Sequence, residues 1–104
     1  MVIGDLSGYS LYGLFQNELH IELSILKSKI ENLRNKHEVE DSVALMLLSS
    51  GAIFASASLV NLEIVAKVFK AIANYLNGVR DNKLEYKNEE LDFLHHGIKV
   101  LVGL

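Results

Sequence analysis

Apolar residues in the first third of the chain recur every three or four positions, the spacing of one face of an α-helix. Ser10 suits an N-cap, so the pattern predicts a first helix from about Ser10 to Lys36. Gly4 and Gly8 interrupt the pattern before it, and we expect an irregular lead-in over residues 1–8. The apolar face consists of Phe15, Leu19, Leu23, Leu26, Ile30 and Leu33.

The middle of the chain has a different pattern, because it carries no charge. Ser42 to Leu62 is a run of 21 residues without Asp, Glu, Lys, Arg or His. A strand over Ala52–Val60 is the competing interpretation, since a short apolar run fits either structure. The many Ala and Ser residues disfavour a strand. The run therefore predicts a second helix, capped by Asp41 or Ser42.

Two further helices are predicted in the last 44 residues. Asn61 caps a third helix that ends near Gly78, with an apolar face of Ile64 or Val65, Val68, Ile72, Tyr75 and Val79. Asn88 caps a fourth helix, whose apolar face is Leu91, Leu94, Ile98 and Leu101. Together the four helices predict an all-α fold, an antiparallel up-down four-helix bundle in a single domain over residues 1–104. The helical pattern continues to Gly103 and Leu104, which suggests that a further segment follows.

The uncharged run is long enough to test as a membrane span. Several Ser residues and Gly51 interrupt it, and neither a Lys/Arg cluster nor an aromatic belt flanks it. The N-terminus lacks the basic region of a signal peptide. We therefore expect a cytoplasmic bundle that buries this helix on most sides, without a membrane partner.

Composition narrows the chemistry further. The chain has no Cys, which excludes disulfides, a cysteine zinc site and a thiolate nucleophile. It has no Pro, which suits long unbroken helices. A net charge of −3 gives no general attraction to nucleic acid. We expect neither a cofactor nor a nucleic-acid partner.

The four histidines do not form a metal or catalytic motif. Adjacent residues on a helix diverge by about 100°, so His95 and His96 cannot bind one metal ion together. Asp92 precedes His96 by four residues, and a surface pair is the expected result. His20 and Glu22 are two residues apart, which does not place them on one side of a helix, and His37 is the remaining histidine. Phosphate-loop, zinc-protease and nucleophile-elbow motifs are missing, so we expect no enzymatic activity of its own.

Residues 10–102 resemble the histidine phosphotransfer (HPt) domain of CheA-like chemotaxis sensor kinases. The entry to the first helix, Ser10-Leu11-Tyr12-Gly13-Leu14-Phe15, is similar to that family's entry. The stretch Met46 to Leu62 aligns without gaps to the family's phosphoacceptor helix. Matches continue through Ala66-Lys67-Val68 and Leu91-Asp92-Phe93-Leu94. The resemblance implies a four-helix bundle of a two-component phosphorelay.

The chain departs from the family at the residues that carry the chemistry. Gly51 stands at the phosphoacceptor histidine, Phe54 at the lysine and Ala55 at the following glycine. Lys70 and Ala73 stand where the third helix often has a His and a Glu. Phosphotransfer needs an exposed imidazole nitrogen as nucleophile, and a cation to balance the phosphoryl charge. The acceptor helix here offers neither.

These departures predict a degenerate HPt-like domain that docks a partner instead of transferring phosphate. The partner implied is a response regulator or a sensor kinase domain, and the chain could itself be part of a kinase. Two alternatives stay open: an active domain with a relocated histidine at His95 or His96, and a bundle that self-associates through residues 49–58. The expected protein-binding residues are Ser50, Gly51, Phe54, Ala55, Ser58, Lys70 and Ala73.

Overall fold

A computed structural model describes the backbone of residues 3–102 and the side chains of residues 13–101. Within those residues the protein is all-helical, with four helices and no strand. They are α1 (Ile3–Arg34), α2 (Val39–Leu59), α3 (Glu63–Asp81) and α4 (Asn88–Val102). At 1.5 Å per residue, the 32 residues of α1 span about 48 Å, which accounts for the 51 Å length of the molecule.

Helix α1 begins earlier than its sequence pattern predicts. It is already helical at Ile3, so the expected irregular lead-in is wrong for residues 3–8. A glycine inside a helix costs only about 1 kcal/mol relative to alanine, and the segment has no proline to stop the helix. Gly4 and Gly8 are therefore tolerated within α1.

The connections between the helices are short, and residues with positive φ shape each of them. Lys36 and Glu38 lie between α1 and α2, Asn61 between α2 and α3, and Lys83 between α3 and α4. Asn61 turns the chain in the left-handed region, which asparagine tolerates better than most residues, instead of capping α3. Leu62 is the N-cap of α3 and makes no side-chain capping bond.

Three pairs of helices pack together: α1 with α2, α2 with α3, and α1 with α4. The predicted apolar face of α1 is confirmed, because all six of its residues are buried. Leu91 and Ile98 of α4 are buried, and Leu94 and Leu101 are half-buried against the same core. The Arg34 guanidinium forms an ion pair with Asp92, which joins the end of α1 to α4.

The predicted apolar face of α3 is partly wrong. Val68 is 39% exposed, although Ile72 and Val79 are buried as predicted. Of the two alternatives at the start of the face, Ile64 is 80% exposed and Val65 is half-buried against the core. The helix continues past Gly78, which lies inside it and does not end it. The residues that α3 contributes to the core are Ala66, Phe69, Ile72, Leu76 and Val79. Apolar residues therefore occupy two neighbouring stripes of α3, and the bundle buries one of them.

Candidate docking face of the second helix

Helix α2 packs against α1 and against α3, and the rest of its circumference faces solvent. Its buried residues are Ser42, Val43, Met46, Ser49, Ser50, Ile53 and Ala57. On the opposite side the exposed residues from position 44 onward form what we call the open face, and the exposed acids Glu40 and Asp41 lie in the first turn of α2, before it begins. The open face consists of Ala44, Leu45, Leu48, Gly51, Phe54, Ala55, Ser58 and Leu59. The expectation that α2 is buried on most sides is wrong, since only part of its circumference is covered.

The open face is uncharged and uneven in height. Leu48 is 71% exposed and Leu59 is 77% exposed, so two large apolar side chains stand out from it. Between them, a Cβ added at Gly51 would meet no atom within 4 Å. Ser58 donates a hydrogen bond of 2.8 Å to the Phe54 carbonyl, which satisfies its hydroxyl within the helix. The face therefore offers apolar contacts and very little hydrogen bonding.

Most of the predicted binding residues lie at the surface. Gly51, Phe54, Ala55 and Ser58 share the open face, and Lys70 is exposed on the neighbouring helix α3. Ala73 of α3 is half-buried. Sequence reasoning missed Leu45, Leu48 and Leu59, whose exposure follows from the rotation of α2 and not from their type.

Ser50 is a correction to the predicted site. It is fully buried, and its hydroxyl has no hydrogen-bond partner among the described residues. Successive residues of a helix point about 100° apart, so exposure of Gly51 turns Ser50 toward the core. Ser50 therefore cannot contact a docked partner.

Polar contacts hold both ends of α2 against α1. The Asn32 amide donates a hydrogen bond of 3.1 Å to the Ser42 hydroxyl near the start of α2. The Ser56 hydroxyl donates one of 2.7 Å to the Glu18 carboxylate near its end. Because these bonds are far apart along both helices, they fix which side of α2 faces α1.

The histidines are dispersed over the described residues. His20 and His96 are exposed, and His37 contacts Glu38 at 3.3 Å in the α1–α2 connection. His95 is half-buried, and its Nε2 atom has no hydrogen-bond partner within residues 13–101. Asp92 is paired with Arg34, whereas the sequence predicted a pair with His96. No group of three or more potential ligands in the described part of the chain could hold a metal ion.

By length and composition, α2 could also cross a membrane. Its mean hydropathy reaches 1.7 over an 18-residue window, of which 39% is buried inside the protein. Core helices of soluble proteins pass the same test, so this is weak evidence.

Comparison with family models, curated proteins and solved structures finds no match to this chain.

Proposed function

We propose that this chain is a cytoplasmic, non-enzymatic docking domain, a degenerate HPt-like bundle that binds a response regulator or a sensor kinase domain. The observation that carries the proposal is the open face of α2, apolar and uncharged, with Gly51 exposed in its middle. Exposed apolar patches of this kind commonly mark protein contacts. The exposure of Gly51 also fits the alignment, because a phosphoacceptor position has to face solvent.

The arrangement of helices that we propose is the antiparallel up-down bundle. Two hydrogen bonds support it, since Asn32 near the end of α1 meets Ser42 near the start of α2, and Glu18 meets Ser56 farther along. Short connections also favour antiparallel neighbours. In this arrangement Gly51 and Lys70 lie at the same level, ten residues before and nine residues after Asn61. Lys70 then supplies a cation beside the apolar open face.

The decisive experiment uses a charge at the centre of the open face. Gly51→Glu adds a carboxylate where there is open space, while Gly51→Ala is the matched control without the charge. Isothermal titration with receiver domains and kinase domains of the same organism measures binding. We expect Gly51→Glu to lower the binding affinity at least tenfold, because an unpaired charge buried at an interface costs more than about 1.4 kcal/mol. Gly51→Ala adds no charge, and should leave the affinity within about twofold. Equal affinities for both variants would refute docking at this face.

A phosphotransfer assay separates this proposal from the relocated-histidine alternative. The protein is incubated with a phosphorylated receiver domain, or with a kinase and labelled ATP. We expect no acid-labile phosphate on the chain. Stable label on His95 or His96, lost when both are replaced by glutamine, would establish the alternative.

Self-association through the open face is the second candidate function, and the shape of the open face favours it. In an antiparallel pair with its two-fold axis near Ile53, Leu48 of one copy would face Ser58 of the other, and Gly51 would face Ala55. A large side chain then meets a small one, and two small residues meet between them, so the face is complementary to itself, as an isologous interface requires. Light scattering over a range of concentrations tests it. A dimer that Gly51→Glu dissociates would replace the docking proposal at this surface.

A further inference from the structure

A second apolar surface lies between α3 and α4, away from the open face of α2. The two helices enclose a groove of about 610 Å³, open along one side. Its walls include Val68, Ile72 and Tyr75 from α3, and Phe93, Gly97 and Leu101 from α4. The walls are almost entirely apolar, and the volume is in the range of small-molecule pockets, so the groove has room for several inserted side chains.

The groove explains the second apolar stripe of α3. A helix that packs on one side of a bundle needs one apolar stripe, and α3 already supplies it with Phe69 and Leu76. The neighbouring stripe, which includes Val68 and Tyr75, lines the groove instead. On the opposite wall Phe93 is 80% exposed. These side chains have the arrangement of a packing surface without a packing partner.

The charge at one end of the groove restricts what can bind. Among the described residues, the charged ones in its walls are Glu89 and Glu90, in the first turn of α4. Glu90 accepts a hydrogen bond of 2.9 Å from the Tyr75 hydroxyl, and Glu89 is exposed. An apolar ligand with an anionic head would be repelled at this end, whereas a cationic group would be attracted.

The length of the groove indicates a helical ligand. Its α4 wall runs from Glu89 to Leu101, which is about 18 Å at 1.5 Å per residue, or just over three helical turns. An open channel between two helices accepts a third helix that inserts apolar residues at positions i, i+3 or i+4, and i+7. Gly97 leaves room for one such side chain, since a Cβ there would meet nothing within 4 Å.

We propose that the groove between α3 and α4 binds an amphipathic helix of another protein, with Lys or Arg at the end that lies beside Glu89 and Glu90. A second copy of this chain, which carries exposed Lys67, Lys70 and Lys99 on α3 and α4, is the competing occupant, and the test below distinguishes it. The proposal does not depend on the proposed function, because it concerns a different surface.

The test uses a designed helical peptide of about 14 residues, roughly 20 Å long, with leucines along one face and two lysines at one end. Its binding to the full chain is measured by isothermal titration and by amide chemical shifts. We expect shifts at Val68, Ala71 and Gly97, with few on the open face of α2. Replacing the two peptide lysines by glutamates should weaken binding about 5-fold or more, because each charge pair contributes modestly.

Protein variants separate the groove from the rest of the molecule. Gly97→Leu fills the groove and should weaken binding of the peptide at least tenfold. Phe93→Ala removes an exposed aromatic side chain without leaving a cavity in the core, and should weaken peptide binding about 5-fold. Gly51→Glu should leave peptide binding unchanged, so the failure of one docking surface is distinguishable from the failure of the other. Circular dichroism checks that each variant is folded.

Four results would overturn the proposal. They are unchanged affinity in both Gly97→Leu and Phe93→Ala, equal binding of the lysine and glutamate peptides, shifts confined to the open face of α2, and tighter binding of a fatty acid than of the cationic peptide. Concentration-dependent dimers that Phe93→Ala dissociates would assign the groove to a second copy instead.

Discussion

Replacing Gly51 by alanine should stabilise the protein, although it alters the middle of the candidate docking face. Gly51 lies well inside α2, far from both ends of the helix. A glycine in an exposed helix interior costs about 1 kcal/mol relative to alanine, because the unfolded chain loses more backbone freedom on folding. The added Cβ meets no atom within 4 Å, so no steric penalty offsets the gain. We expect the free energy of unfolding to rise by about 0.5–1 kcal/mol.

The chain supplies a matched control one turn later. Ala55 is exposed on the same face, and Ala55→Gly should lower the free energy of unfolding by the same 0.5–1 kcal/mol. Urea unfolding followed by circular dichroism measures both variants. In a domain of this size, 1 kcal/mol corresponds to a change in Tm of about 4–8 °C.

A loss of stability in Gly51→Ala, together with the expected loss in Ala55→Gly, would refute the reasoning. The Cβ at position 51 would then meet a neighbour, so that α2 would be rotated or its open face covered. Repeating the unfolding at several protein concentrations distinguishes these causes. A penalty that grows with concentration indicates a second copy on the face, because only association depends on concentration.

Five further substitutions test the core, its surface control and the α3–α4 contact. Ser50→Ala should raise the free energy of unfolding by about 1 kcal/mol in urea, because it removes a buried hydroxyl that has no hydrogen-bond partner among the described residues. Ser42→Ala loses a hydrogen bond and should lower it by a similar amount. Leu26→Ala should lower the free energy of unfolding by about 2–5 kcal/mol, measured by thermal unfolding. Ile21→Ala changes a side chain that is 62% exposed, and should change this free energy by no more than about 0.5 kcal/mol. Burial and a hydrogen bond to a carboxylate raise the pKa of Tyr75, so the folded state keeps this proton to higher pH than the unfolded chain does. Stability should therefore fall as the pH rises above about 10, and Tyr75→Phe should reduce that fall in a pH series of thermal unfolding.

The first helix was predictable because its pattern has one solution. Six apolar residues from Phe15 to Leu33 recur in one regular stripe, and one rotation of the helix buries all six, while Leu14 and Ile21 stay exposed outside it. The N-terminal boundary was not predictable from Gly4 and Gly8, since glycine lowers helix stability without preventing a helix. The stripe on α4 was predictable for the same reason as that on α1.

The third helix shows where a periodic pattern is insufficient. Val68 and Phe69 are adjacent apolar residues, and each belongs to a regular helical stripe. Periodicity alone does not decide which stripe faces the core. Packing against α2 buries Phe69 and leaves Val68 at the groove. The α3–α4 groove itself depends on the relative position of two helices, and no local pattern encodes that.

The candidate docking face depends on a similar choice in α2, which polar contacts decide. The uncharged run has apolar residues on every side, so burial of apolar area alone would allow several rotations. The half-buried Glu18 carboxylate needs a hydrogen-bond donor, and the Ser56 hydroxyl provides it near the end of α2. Near the start of α2, the Asn32 amide donates a hydrogen bond to the Ser42 hydroxyl. Once these two bonds form, Gly51 must face solvent and Ser50 must face the core. A few polar side chains on α1 therefore determine which surface the most apolar helix presents to solvent.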